Sequence, residues 1–307
     1  MQSIINIPYF GEIAMLLAAI CWSIAVIIFK SASKNLSPLL IVTLKNSIAL
    51  LLFTMSFLLF DIQIFYKGLT TNDYLKIMVS GVMGMGIADI LFIYALSKIG
   101  ANRVAIINCF EPAVIYCLSI LMLGTFLTTQ QFIGFIIVII ALLIISYEND
   151  ASDIDPIIKK NGIIIQILAV LFSSFGIVLI KPVLSKVAHS VEAQLWITYF
   201  RLFPGFIVAW IVFLFQKNKS TLLSPLKKSS MLWQILLSSG LGTFIALSFW
   251  IIGYTNIEKP PVASIIGQTS VIFIVILSYF ILKEKISKIR ILSIFIAVCG
   301  VIVITLK

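Results

Sequence analysis

Charge is what this chain has least of. Asp, Glu, Lys and Arg together make up 11% of its 307 residues, against roughly 25% in soluble domains. That scarcity excludes a water-soluble globular protein of this size, which would need far more polar surface. Histidine is nearly absent, with His189 alone. The four cysteines, Cys21, Cys109, Cys117 and Cys299, stand at no metal-ligand spacing and read as small core residues, so no metal and no cofactor is expected. No GxxxxGK[ST] loop occurs, and there is no soluble portion to carry one, which excludes ATP-driven pumping by this chain alone. One histidine and few loop-borne acids leave little to catalyse with, so an integral membrane enzyme is the weaker rival and the chain is read as no enzyme. Neither charged rings nor glycine-rich half-loops favour a passive channel. The region before the first apolar run lacks Lys and Arg and a small-residue cleavage site, so the first helix is expected to stay.

What is present is apolar: 61% of residues are hydrophobic. The net charge of +10 does not point to nucleic acid, because the cations stand in ones and twos at the ends of apolar runs, where long side chains snorkel to lipid head groups. The fold class is therefore an all-α polytopic membrane protein. Runs between charge and turn punctuation give ten helices, at about 11–30, 37–60, 74–97, 101–123, 129–147, 162–184, 191–215, 231–254, 261–282 and 288–306. Residues 229–257 and 260–282 hold no ionisable side chain except Tyr254 and Tyr279, while the charge-free stretch 112–147 is too long for one crossing and is divided at the polar GTFLTTQQ of 124–131. Transmembrane strands would alternate over about ten residues, and these runs do not.

The polar segment YENDASDIDPIIKKNG near the middle reads as a linker, 148–161, between halves at 1–147 and 162–307. Sliding the halves against each other supports a duplication. At a shift of 151 Gly11 meets Gly162, Leu17 meets Leu168, Ser23 meets Ser174 and Lys30 meets Lys181; at 156 Lys45 meets Arg201 and Gly86 meets Gly242; at 159 Leu123 meets Leu282. A repeat of five helices must cross the membrane in opposite senses in its two copies, so the expectation is two inverted five-helix repeats with a site between them.

Glu111 is the most informative residue. A carboxylate about ten residues into helix four is expensive in hydrocarbon, and its readings are a ligand for a substrate amine, a proton carrier, or a structural hydrogen bond. Asn108 shares its helical face, and Pro112 removes a backbone donor beside it. Asp89 is the alternative proton-coupling group, or the partner of Lys45 or Arg201; those two cations read as structural charge or interfacial anchors. Trp22, Ser23, Tyr94, Ser173, Ser174, Tyr199, Trp250, Ser264, Gln268 and Thr269 could line a cavity, although hydroxyls often only bond between helices and aromatic rings often anchor at the interface. His189 falls in a connection and reads as solvated. Glycines 81, 84, 86, 240 and 242 read as points of close helix approach.

Trp22-Ser23 in a small-residue first helix, Lys45 and Arg201 early in helices two and seven, the stretch IYALSKIGANRVAIINCFEPAVIYCLSILMLG at 93–124, and LKEKIS with Glu284 together resemble the drug/metabolite transporter superfamily, specifically its ten-helix EamA-type exporters. The resemblance covers nearly the whole chain. Two departures stand out: Thr125 where the first-half pattern commonly has glutamate, and Gln268-Thr269-Ser270 in place of a glutamate-proline element. The resemblance implies a multi-pass protein of the bacterial cytoplasmic membrane that exports a small polar or amphipathic metabolite such as an amino acid by alternating access. Uptake or exchange of a nucleotide-like or cofactor anion is the alternative. The expected partners are a small-molecule substrate, the lipid bilayer and protons, with no nucleic acid, in a monomer or homodimer. The family implies both termini inside, whereas the positive-inside rule applied to the connections places them outside.

Overall fold

The structure is a computed structural model and describes residues 7–63, 66, 68–146, 155–217, 219–282 and 288–306. The described residues are helical or in turns, with no strand among them. The longer helical stretches are, in order, α1 (Phe10–Ala32), α2 (Pro38–Leu59), α3 (Thr71–Gly100), α4 (101–108 followed by Glu111–Leu123), α5 (Thr129–Ser146), α6 (Pro156–Lys186), α7 (Val191–Leu214), α8 (Ser229–Asn256), α9 (Pro260–Gly267 followed by Ser270–Leu282) and α10 (Lys288–Thr305), with a short helix at Lys219–Leu223 and a 3-10 turn at Ser224–Lys227 between α7 and α8. Seven of these helices are long and apolar enough to cross a bilayer, and shorter apolar helices occur at Thr129–Ile144, Pro260–Ile274 and Ile291–Thr305.

Local chemistry sets the helix starts. Ser37 and Ser190 cap α2 and α7, accepting the amides of Leu40 and Ala193, and Thr70 with Asp73 forms a reciprocal capping box on α3. Asp155 caps α6 by accepting the amides of Ile157 and Ile158, with Pro156 at the first helical position. The linker expected at 148–161 is therefore shorter at its second end, because 156–161 is helix; its 147–154 portion lies outside the described residues, as does Glu284. Lys186, at the end of α6, holds Asp73 at 2.7 Å and ties that end to the start of α3.

Two helices are not α-helical throughout. Residues Val82–Ala88 of α3 and Ser239–Ile245 of α8 are π-helical, each seven residues long and 157 positions apart. Two others are broken: α4 at 109–110 and α9 at 268–269, 159 positions apart, each followed by a segment of thirteen residues. Pro112 explains the first break, since it cannot donate to the Asn108 carbonyl and its ring crowds it. These matched interruptions extend to the backbone the duplication read from side chains.

Packing crosses between the halves. Helix α1 lies against α8 and α6 against α3, while α5 and α10 form a pair at the side of the bundle. Small residues set the close approaches, as is usual where helices cannot gain hydrophobic energy by leaving lipid. Gly81, Gly84 and Gly86 face Arg201, Pro204 and Val208 of α7, and Gly242 faces Ala25 of α1, whereas Gly240 meets only Leu52 at 3.9 Å. The outer surface is apolar, with Leu58, Leu121, Ile140, Leu171 and Ile211 exposed. Cys117 and Cys299 also lie there, so only Cys109 is a fully buried core cysteine; Cys21 is half-buried.

Candidate functional site

A cavity of about 180 Å³ lies at the centre of the bundle, room for roughly a dozen waters or a metabolite of comparable size. It is bounded by α1, α2, α3, α4, α6, α8 and α9, with no lining residue from α5, α7 or α10. Both π-helical segments and both helix breaks reach its wall: Gly84, Met85 and Ala88 from the first π segment, Gly242 and Thr243 from the second, and Glu111, Gln268 and Ser270 from the breaks. Irregular backbone at this depth is tolerated where it lines a polar cavity within protein, and π segments concentrate at functional sites.

Glu111 begins the second segment of α4, so the break turns it from a mid-helix residue into the first residue of a helix. Its two oxygens are held from different helices. Gln268 donates its Nε2 to Oε2 at 2.8 Å, and Ser173 of α6 donates its hydroxyl to Oε1 at 3.3 Å. Both donors are neutral, and among the described residues Glu111 makes no ion pair. Asn108 accepts from Gln166 Nε2 at 2.7 Å, while Gln166 Oε1 is buried without a hydrogen-bond partner.

The other acid of the wall is differently placed. Asp89 follows the π segment of α3 and forms an ion pair with Lys45 of α2, which is only 3% exposed. Lys45 also donates to Asn46 Oδ1 at 3.2 Å, and Asn46 donates to the Met85 carbonyl at 3.1 Å, so the pair is tied to the π-helical backbone. Of the two partners read for Asp89, the structure selects Lys45. Arg201 takes neither acid as an ion-pair partner. Its Nε donates to Ser80 Oγ at 2.8 Å, and its guanidinium lies 5.2 Å from the Trp250 ring centroid.

Of the residues read from the sequence as cavity lining, Trp22, Asn108, Glu111, Ser173, Trp250, Ser264 and Gln268 are brought together around this space. Five others are not. Tyr94 is 42% exposed on the outside of α3, with Lys98 over its ring. Ser23 is buried and donates to the Ile20 carbonyl, and Thr269 donates to the Ile266 carbonyl. Ser174 is buried beside its cavity-facing neighbour Ser173, with no partner for its hydroxyl. Tyr199 belongs to an aromatic cluster with Phe53, Phe57 and Phe200. His189 is exposed in the connection after α6. The wall also holds residues that the sequence reading did not select: Gln166, Thr243, Tyr254 and Ser270. A lone glutamine inside GIIIQILAVLF was the available signal for the first.

A helical membrane protein whose two halves close on a central cavity that holds a few polar groups is built as a carrier is built. Comparison with known proteins gives the family. The EamA-like transporter family matches residues 9–147 and 160–306, and the chain belongs to that family of membrane transporters. One solved structure, described only as a crystal structure of a protein, is similar in fold, with a TM-score of 0.74, 14% identity and 96% of each chain covered. No curated protein sequence matches.

Proposed function

We propose that this protein is a secondary transporter of the bacterial cytoplasmic membrane that exports a small polar or amphipathic metabolite such as an amino acid. In this reading ten crossings form two inverted five-helix repeats, and the central cavity opens alternately to either side. The observation that carries it is Glu111: a carboxylate on the wall of a cavity shared by both halves, held by two neutral donors and, among the described residues, by no cation. A carboxylate so placed can hold a proton or pair with a substrate amine, but not both at once. A carrier that crosses with either proton or amine bound exchanges one for the other, which is antiport. Trp22, Ser173, Trp250, Ser264, Gln268 and Asn108 supply the rest of the substrate's surroundings, two aromatic rings with amide and hydroxyl groups.

The test is Glu111→Gln, which keeps the shape and most of the hydrogen bonding but fixes the neutral state. Purified protein in proteoliposomes, with labelled amino acids and amines, should lose pH-gradient-driven efflux while its yield stays near that of the wild type. Gradient-dependent transport retained by the variant would refute the coupling role, and transport of none of the substrate panel by the wild type would sink the substrate class.

A further inference from the structure

Arg201 is the charge that the transport reading leaves unused. It is completely buried, in the middle of a chain that avoids charge, and its guanidinium is only half satisfied. The Nε end is fixed, because Ser80 Oγ accepts from it at 2.8 Å and donates its own hydrogen bond to the Gly176 carbonyl at 2.6 Å. The other end carries Nη1 and Nη2, both buried and both without a hydrogen-bond partner among the described residues. Four N–H donors left idle at the centre of a bundle are costly, and intramembrane cations without partners mark ligand paths. They also lie against residues of the cavity wall. A methyl group on Gly84 would stand 2.6 Å from Nη2, and the Trp250 ring lies 5.2 Å from the guanidinium carbon; Gly84 and Trp250 are both wall residues. The guanidinium is thus one layer behind the wall, where that wall is a π-helical turn and an aromatic ring.

The surrounding charges define what would satisfy it. Asp89 is taken by Lys45. Glu111 belongs to the same cavity but is held elsewhere, by Gln268 and Ser173. Among the described residues the cavity therefore has an acid without a cation and, behind its wall, a cation without an anion. We propose that Arg201 is an oxyanion subsite of this cavity, which takes the carboxylate of a zwitterionic ligand in the plane of its two free nitrogens when the Gly84 turn and the Trp250 ring shift, while Glu111 takes the ammonium end. The planar guanidinium suits two parallel hydrogen bonds to a carboxylate. A phosphate offers the same acceptor geometry, but its additional negative charge would face Glu111, which favours the carboxylate.

The inference rests on the reading of this cavity as a ligand site, and it is tested by binding. The probes are L-phenylalanine, L-phenylalaninamide and inorganic phosphate, applied to the purified full chain in lipid nanodiscs at about pH 6, where both amines are protonated. Wild type should bind the acid at least roughly tenfold more tightly than the amide, because the amide loses the charge-assisted bonds. Arg201→Gln should remove that preference, and Arg201→Lys should keep part of it. Gly84→Ala moves the guanidinium without deleting it and should reduce the preference, so it decides the matter if Arg201→Gln fails to fold. A purely structural Arg201 predicts equal losses for acid and amide. Equal binding of acid and amide by the wild type, no binding of either, a preference that survives in well-folded Arg201→Gln, or binding of phosphate alone would each overturn the assignment. Acid-selective binding without any flux in proteoliposomes would support the subsite and count against the transport reading.

Discussion

The Lys45–Asp89 pair offers a test of whether the second acid of the cavity wall is a structural or a working group. Asp89→Asn keeps the shape of the side chain and leaves an oxygen that can accept from Lys45, but it strands a positive charge that is 3% exposed. The remaining acceptor, Asn46 Oδ1 at 3.2 Å, is neutral. Breaking a buried pair from one side costs about 3–5 kcal/mol, most of it the uncompensated charge and not the lost attraction. Asp89 is 14% exposed and borders the cavity, so water relieves part of this and the low end, about 3 kcal/mol, applies. Lys45→Met should cost a similar amount by stranding Asp89. The double variant Lys45→Met with Asp89→Leu removes both charges and should be more stable than either single variant, giving a coupling of about 2 kcal/mol or more. Thermal unfolding of the four proteins in one detergent measures the cycle, and efflux from proteoliposomes, done alongside, measures function. Additive losses of stability would refute the pairing argument. If the double variant folds well and exports, Asp89 is structural; if it folds well and loses only its pH-gradient dependence, the proton is carried by Asp89 and the role given to Glu111 is wrong.

Three further expectations follow from the same geometry. Trp22→Ala and Gln268→Ala, which remove wall atoms of the cavity, should lower transport at least severalfold more than they lower abundance, whereas Tyr94→Phe, on the outer face of α3, should leave both unchanged within error; a quantified blot beside the flux assay decides. Gly300→Val should weaken the α5–α10 pair by about 1–3 kcal/mol, since even a first methyl there would meet Val138 at 2.7 Å and Ile137 at 3.0 Å, and the loss should appear in the melting temperature while transport by the surviving protein stays normal.

Charge-free length was enough to place the helices, because hydrocarbon admits little else, and Lys45, Asp89 and Glu111 stood out for the same reason. Turn and cap chemistry was harder. Asp155-Pro156 is a strong helix start, yet the following KKN reads as linker when hydropathy is the guide, so α6 was begun six residues late. The π segments had no signature to read: VMGMGIA and SGLGTFI share little beyond glycine, and an extra residue in a helical turn leaves the apolar pattern almost unaltered. The break in α9 has no proline to announce it, unlike the break that Pro112 makes in α4. Tyr254 is missed at the wall, and Tyr94 and Thr269 are included, for one reason. Which face of an irregular helix points inward cannot be counted off at 3.6 residues per turn once a π turn or a break has reset the phase.

The two halves repeat their interruptions but not their chemistry. A π turn recurs 157 residues on and a break 159 residues on, and all four open onto one cavity, as expected of a single half-site used twice. At the breaks, however, one half presents Glu111 and the other Gln268, and the two side chains bond directly across the centre. Glutamate in both halves would place two carboxylates within reach of each other, and two like charges so close cannot both ionise in a buried site. Glutamine in the second half removes that repulsion, orients the single acid through its amide, and leaves one ionisable group at the junction. The departure at 268–270 is therefore the feature that sets the charge count: whatever is exchanged at this point in one transport cycle, the junction itself can balance one positive charge and no more.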